Sequence, residues 1–126
     1  MTTSRGVTDQ AAEAIRAAAP LGVSGVAWAG ETLTVWGSNW SFSTMSNWRL
    51  LREGRFTCSS IQGPHDALGH LNGCTVNGAS LRPGALDDIT LEFSGDIVLE
   101  VFSDIGVEPW VMRLPSCVFV PSDIAD

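Results

Sequence analysis

From residue 21 onward, apolar and polar side chains alternate in short runs closed by glycine, asparagine, aspartate or proline. A period of two marks half-buried strands, whose side chains point to opposite faces in turn. Val23 to Trp28 reads as a first strand and Ala29-Gly30-Glu31 as its turn. Thr32 to Trp36 follows, with Leu33 and Val35 on one face and Trp36 on the other with Thr32 and Thr34. Gly37-Ser38-Asn39 turns the chain into Trp40–Thr44, and Met45-Ser46-Asn47 leads to Trp48–Leu51. Glu53-Gly54 makes a tight turn into Arg55–Ser60. Residues 21–60 therefore read as one antiparallel meander.

A second series begins after residues 61–73, a linker-like stretch with room for one helical turn that holds Gly63-Pro64 and both histidines. Cys74 to Leu81 is a strand with a bulge signal at Gly78. Ile89, Leu91 and Phe93 face inward in the next strand, and Ile97, Leu99 and Val101 in the one after Ser94-Gly95-Asp96. Trp110–Leu114 and Cys117–Val120 complete a second meander over residues 74–122. The two series align as a pseudo-duplication: Trp48 to Ser60 lies opposite Trp110 to Ser122 without a gap, and Phe42-Ser43 opposite Phe102-Ser103.

Ahead of the strands, Gln10 to Ala19 is alanine-rich and favours a helix, with Thr8 or Asp9 as cap and Pro20 and Gly22 as stop. Its apolar face is Ile15 among Ala11, Ala12, Ala18 and Ala19, which suits close packing on a sheet or a loosely docked arm. The expected fold is α+β, mainly β: a helix in residues 1–20, then two antiparallel meanders packed as a sandwich or barrel-like core. At 126 residues the chain is expected to be a single domain with one core.

Charge changes the functional picture. The net charge is −7, and all seven basic residues are arginine. Residues 1–63 hold five arginines against four acids; residues 64–126 hold two against ten. An acidic half disfavours nucleic-acid phosphates and suits a basic protein. Asp87, Asp88, Glu92, Glu100, Asp104 and Glu108 are the expected steering carboxylates, with Trp36 as an aromatic anchor. No membrane-spanning run is expected, and the first six residues lack a signal-peptide pattern. Three cysteines (Cys58, Cys74 and Cys117) suit reduced thiols in a cytoplasmic protein better than a disulfide framework.

Covalent chemistry finds little support in the sequence. There is no Gly-x-Ser-x-Gly elbow and no phosphate loop followed by lysine. Zinc-type ligands do occur close together, as His65, Asp66, His70 and Cys74, without a known ligand spacing. No cofactor is implied. The expected function is a non-enzymatic protein-binding domain with a basic protein partner. The alternatives are a small-molecule or metal-binding protein, or an enzyme, with a pocket near His65, His70 and Cys74, and a structural domain that forms homo-oligomers through its edge strands.

The string Asn39-Trp40-Ser41-Phe42, followed by Trp48-Arg49-Leu50-Leu51-Arg52-Glu53-Gly54, resembles a family of small, mainly actinobacterial proteins. In that family a W-S-[LF] strand precedes a W-R-[LV]-[LV]-x-[DE]-G hairpin. Leu99 to Asp104 and Pro109 to Pro115 extend the resemblance over residues 39–115. It implies a compact bacterial domain and assigns no activity or site. Immunity proteins that neutralise toxins offer an analogy for small acidic proteins of this kind.

Overall fold

The computed structural model describes residues 7–81, 88–102 and 110–120. It is mainly β, as expected, with an N-terminal helix and two packed antiparallel sheets that do not close into a barrel. The helix α1 spans Val7–Ala18. One sheet runs in the order β1 (Leu21–Gly22), β7 (Thr75–Leu81), β8 (Ile89–Phe93), β9 (Ile97–Phe102), β5 (Asn47–Arg52), β6 (Arg55–Ser59). The other runs β11 (Cys117–Phe119), β10 (Val111–Leu114), β4 (Ser41–Thr44), β3 (Thr32–Trp36), β2 (Gly25–Ala29). We call them the first and second sheets.

The sheets are not the two halves of the chain. Each half contributes a three-stranded meander to one sheet and a hairpin to the other. The β5–β6 hairpin joins the first sheet by pairing β5 with β9, and the β10–β11 hairpin joins the second by pairing β10 with β4. The halves are thus topologically equivalent, each lending its hairpin to the last strand of the other's meander. Trp48 and Trp110, aligned by sequence, are both core residues. The alignment of Phe42 with Phe102 does not hold. Phe42 pairs with Met112 and Leu99 with Leu50, so Leu99 is the residue equivalent to Phe42. Phe102 lies across from Asn47, half-buried on the outer face.

Hydrophobic alternation sets which face is buried. Leu33 and Val35, Leu50 with Trp48, Ile89 with Leu91, and Leu99 with Val101 all turn inward and join one core. Val23 donates its backbone N–H to the carbonyl of Cys74, beside β7, whereas the Trp28 ring meets the Trp48 ring of β5 at 5.2 Å. From β7 to β5 is three strand spacings, about 14 Å, and the five residues from Val23 to Trp28 span about 17 Å. The row Trp48–Val101–Ile89–Leu81 puts Trp48 at the far end of the strands from Cys74, so β2 runs diagonally over the first sheet.

Two short elements cover what the sheets leave open. β1 pairs only with Thr75 and Val76 of β7. Beyond it, α1 lies against β7 and touches β11, and Arg16 donates from Nη1 to the Ala79 carbonyl at 2.6 Å. Ala11, Ala12 and Ile15 are fully buried, so the small-residue face is docked. The helix starts at Val7, which puts Thr8 and Asp9 inside its first turn rather than at the cap. On the far side, residues 65–71 form a 3-10 helix against β2 and β6. It buries Ala67, Leu68 and Leu71, so this part of the expected linker is a docked element.

Two backbone features generate tests. Trp36 lies over Gly25, its cross-strand partner, so closely that a Cβ there would clash with the indole at Cζ2. Gly25→Ala should cost about 1–3 kcal/mol in denaturant unfolding. Adding Trp36→Ala should return part of that loss, and full additivity of the two changes would refute the contact. Glu53 and Gly54 both hold positive φ, at 54° and 77°. That is the geometry of a type I′ hairpin, which favours asparagine at the first position. Glu53→Asn should raise stability by about 0.5–1 kcal/mol, read as an increase in Tm.

Candidate functional site

The expected acidic face is only partly assembled among the described residues. Asp87, Asp104 and Glu108 lie outside them. Asp88 is 9% exposed, buried at the start of β8, so it is not a surface steering charge. Ile89, its neighbour, is committed to the core, and the chain enters the sheet at this point. Glu92 is exposed on the outer face of the first sheet. Glu100 shares that face but is paired with Arg49, which lies beside it across β5 and β9. Arg49 also sits over the Phe102 ring, 5.5 Å from its centroid. Both partners of the pair are solvent-accessible, so the pair adds little to stability. It does cancel one carboxylate of the face.

Trp36 is 37% exposed, on the outer face of the second sheet. The sheets meet by their inner faces, so Trp36 and the Glu92–Glu100 row lie on opposite sides of the sandwich. A single flat partner cannot touch both. Alternation placed Trp36 outward correctly but could not say which sheet carried it.

The histidine group does not assemble as a metal site either. Among the described residues, no three His, Cys, Asp or Glu side chains converge to hold an ion. The Cys74 thiol donates to the backbone carbonyl of His70 at 3.1 Å, not to its ring. His70 and Asp66 are exposed. His65 is turned the other way, its Nε2 donating to the Ser59 carbonyl at 2.8 Å. A carbonyl only accepts, so this contact fixes the proton on Nε2.

What His65 does join is an aromatic cluster. Its ring lies 5.6 Å from Trp28 and 6.1 Å from Trp48. Trp28 and Trp48 meet edge to face, with their planes at 84°. Trp48 is buried, and its Nε1–H finds no hydrogen-bond partner among the described residues. Beside the cluster is a concavity of about 310 Å³ lined by Val26, Trp28, His65, Asp66, Leu68, Gly69 and Asn72. Neither His70 nor Cys74 lines it, which corrects the expected pocket near His65, His70 and Cys74. Trp28, Val26 and Asn72 were missed by the sequence reading. Their signal was present: Val26 and Trp28 share a face at i, i+2, and Ala67, Leu68 and Leu71 are too apolar for a linker.

A larger recess of about 430 Å³ lies at the other end of β2. It is lined by the end of α1, Leu21 to Ser24, Ser38 to Trp40, and Pro115. Trp40 is buried beside it and donates from Nε1 to the Gly22 carbonyl at 2.8 Å. Among the described residues, its lining carries no ionisable side chain.

Fold and site define a two-sheet sandwich whose lateral openings are closed by a helix and a 3-10 helix. The chain matches no protein-family model, no curated protein and no solved structure. No helix among the described residues is long and apolar enough to cross a membrane.

The three cysteines are free thiols in distinct environments. Cys58 points into the core across from Leu50, and burial pushes its thiol pKa up. A raised thiol pKa favours folding fully below the ordinary thiol range and less as pH climbs through the folded value. At pH 8, a disulfide reagent should label Cys74 and Cys117 on the folded chain and reach Cys58 only at the unfolding rate. Equal labelling of all three would contradict the burial.

Proposed function

We propose that this chain is a non-enzymatic protein-binding domain that docks a basic partner, with toxin neutralisation of the immunity type as its role. The observation that carries the reading is the charge distribution: ten acids against two arginines in residues 64–126. A surface with that excess raises the encounter rate with a cationic protein and disfavours anionic ones. Among the described residues, Asp66, Glu92 and Asp96 are exposed carboxylates available for this. Asp87, Asp104 and Glu108 complete the steering set, and Asp88 drops out of it. The resemblance to small actinobacterial proteins assigns no activity, and the immunity role is drawn by analogy with small acidic proteins. Its strings mark structure: Trp40 ties β4 to β1 through Gly22, and Trp48 and Leu50 place the β5–β6 hairpin on the core.

The test is association with a basic protein encoded beside this chain's gene, followed by surface plasmon resonance. Raising salt from about 50 to 500 mM should lower the association rate about tenfold or more. Joint Asp87→Asn, Glu92→Gln, Asp104→Asn and Glu108→Gln should slow association at low salt and leave dissociation nearly unchanged. An association rate indifferent to both changes would sink the reading.

A further inference from the structure

The concavity beside Trp28 unites aromatic rings with a carboxylate. Two of its walls are the Trp28 indole and the His65 imidazole, tilted 41° to one another at 5.6 Å. The Trp48 edge-to-face contact and the bond from His65 to Ser59 hold these two rings from behind. Asp66 contributes an exposed carboxylate to the lining and Asn72 an amide, while Val26 and Leu68 supply apolar surface. Among the described residues, no arginine lines it.

We propose that this concavity seats one arginine side chain of the basic partner, with the guanidinium stacked on Trp28 and paired with Asp66. The proposal rests on the docking reading above and names the partner's anchor within it. An indole face attracts a cation through its quadrupole, and a neighbouring carboxylate reinforces that attraction. About 310 Å³ is the lower end of the range for small-ligand sites, sufficient for one side chain and too small for a folded element. Arginine fits better than lysine. Its planar, weakly hydrated head stacks on a ring and presents a fork of donors to a carboxylate, whereas an ammonium is a compact, strongly hydrated point charge. The net charge of −7 adds a field that draws a cationic side chain toward the chain from a distance. The acidic surface governs encounter, and the Trp28 seat governs residence.

The experiment is a ¹H–¹⁵N NMR titration of the intact chain with N-acetyl-arginine amide at constant ionic strength. N-acetyl-citrulline amide serves as the neutral isostere and N-acetyl-lysine amide as the other cation. The arginine probe should shift the Trp28 indole resonance and the Leu68, Gly69 and Asn72 amides along one saturable curve. Citrulline should leave them in place, and lysine should bind more weakly. Asp66→Asn removes an exposed group and should weaken the arginine probe about tenfold, with the rest of the spectrum unchanged. Equal shifts with citrulline, equal affinity for lysine, or indifference to Asp66→Asn would each overturn the proposal. Salt-dependent association with the basic partner, together with failure of the arginine probe, removes the seat and leaves the docking reading standing. Probe binding without any partner association removes the docking reading, and with it the partner as the source of the arginine.

Discussion

The pairing of β5 with β9 holds the architecture together. It places Leu50 against Leu99 and Trp48 against Val101, and it brings Arg49 to Glu100 across 51 positions of sequence. Through this ladder a hairpin from the first half becomes the flank of a sheet built mainly from the second. The reciprocal ladder between β10 and β4 does the same for the other sheet. Without these two pairings each meander would have an exposed last strand and each hairpin no sheet to join. A hairpin alone is marginal in water. The aromatic cluster depends on the same arrangement, because Trp48 meets Trp28 only when β5 sits in the first sheet beneath the end of β2.

Much of this fold can be read from residues, because alternation reports burial directly. Ile89-Thr90-Leu91-Glu92-Phe93 and Ile97 to Val101 have their apolar members inside as the period of two requires, and Gly78 adjoins a bulge against β8. Partner choice is another matter. Nothing in the alternation of Trp48 to Leu51 states that its neighbour is β9 rather than β4, because both offer apolar residues at the matching positions. The linker reading allowed one helical turn but missed its docking, for a related reason. Glycine, proline and histidine dominate the look of residues 61–73, yet three apolar residues at a helical spacing dock the segment. Local composition outweighed a pattern too short to register.

The site was less legible than the fold. A carboxylate's sequence position says nothing about whether it is buried, as Asp88 is, or neutralised by a cross-strand arginine, as Glu100 is. Those outcomes depend on register, and register was unknown. Trp36 illustrates the same limit: its face was evident, its sheet was not. The cluster of Trp28, Trp48 and His65 draws on three separated segments, each ordinary by itself. Only the packing of the two sheets and the docking of the 3-10 helix bring them together.

The exchange of hairpins also dictates how the chain must be built in time. When a ribosome has delivered Ser59, the nascent protein owns a meander lacking its flank and a hairpin whose acceptor strand has yet to be translated. Neither sheet is complete until β9 and then β10 emerge, so synthesis from the N-terminus cannot finish one half before starting the other. Apolar side chains such as Trp48 and Phe42 wait uncovered through that interval. A premature stop before β9 therefore yields an adhesive fragment rather than a smaller working protein.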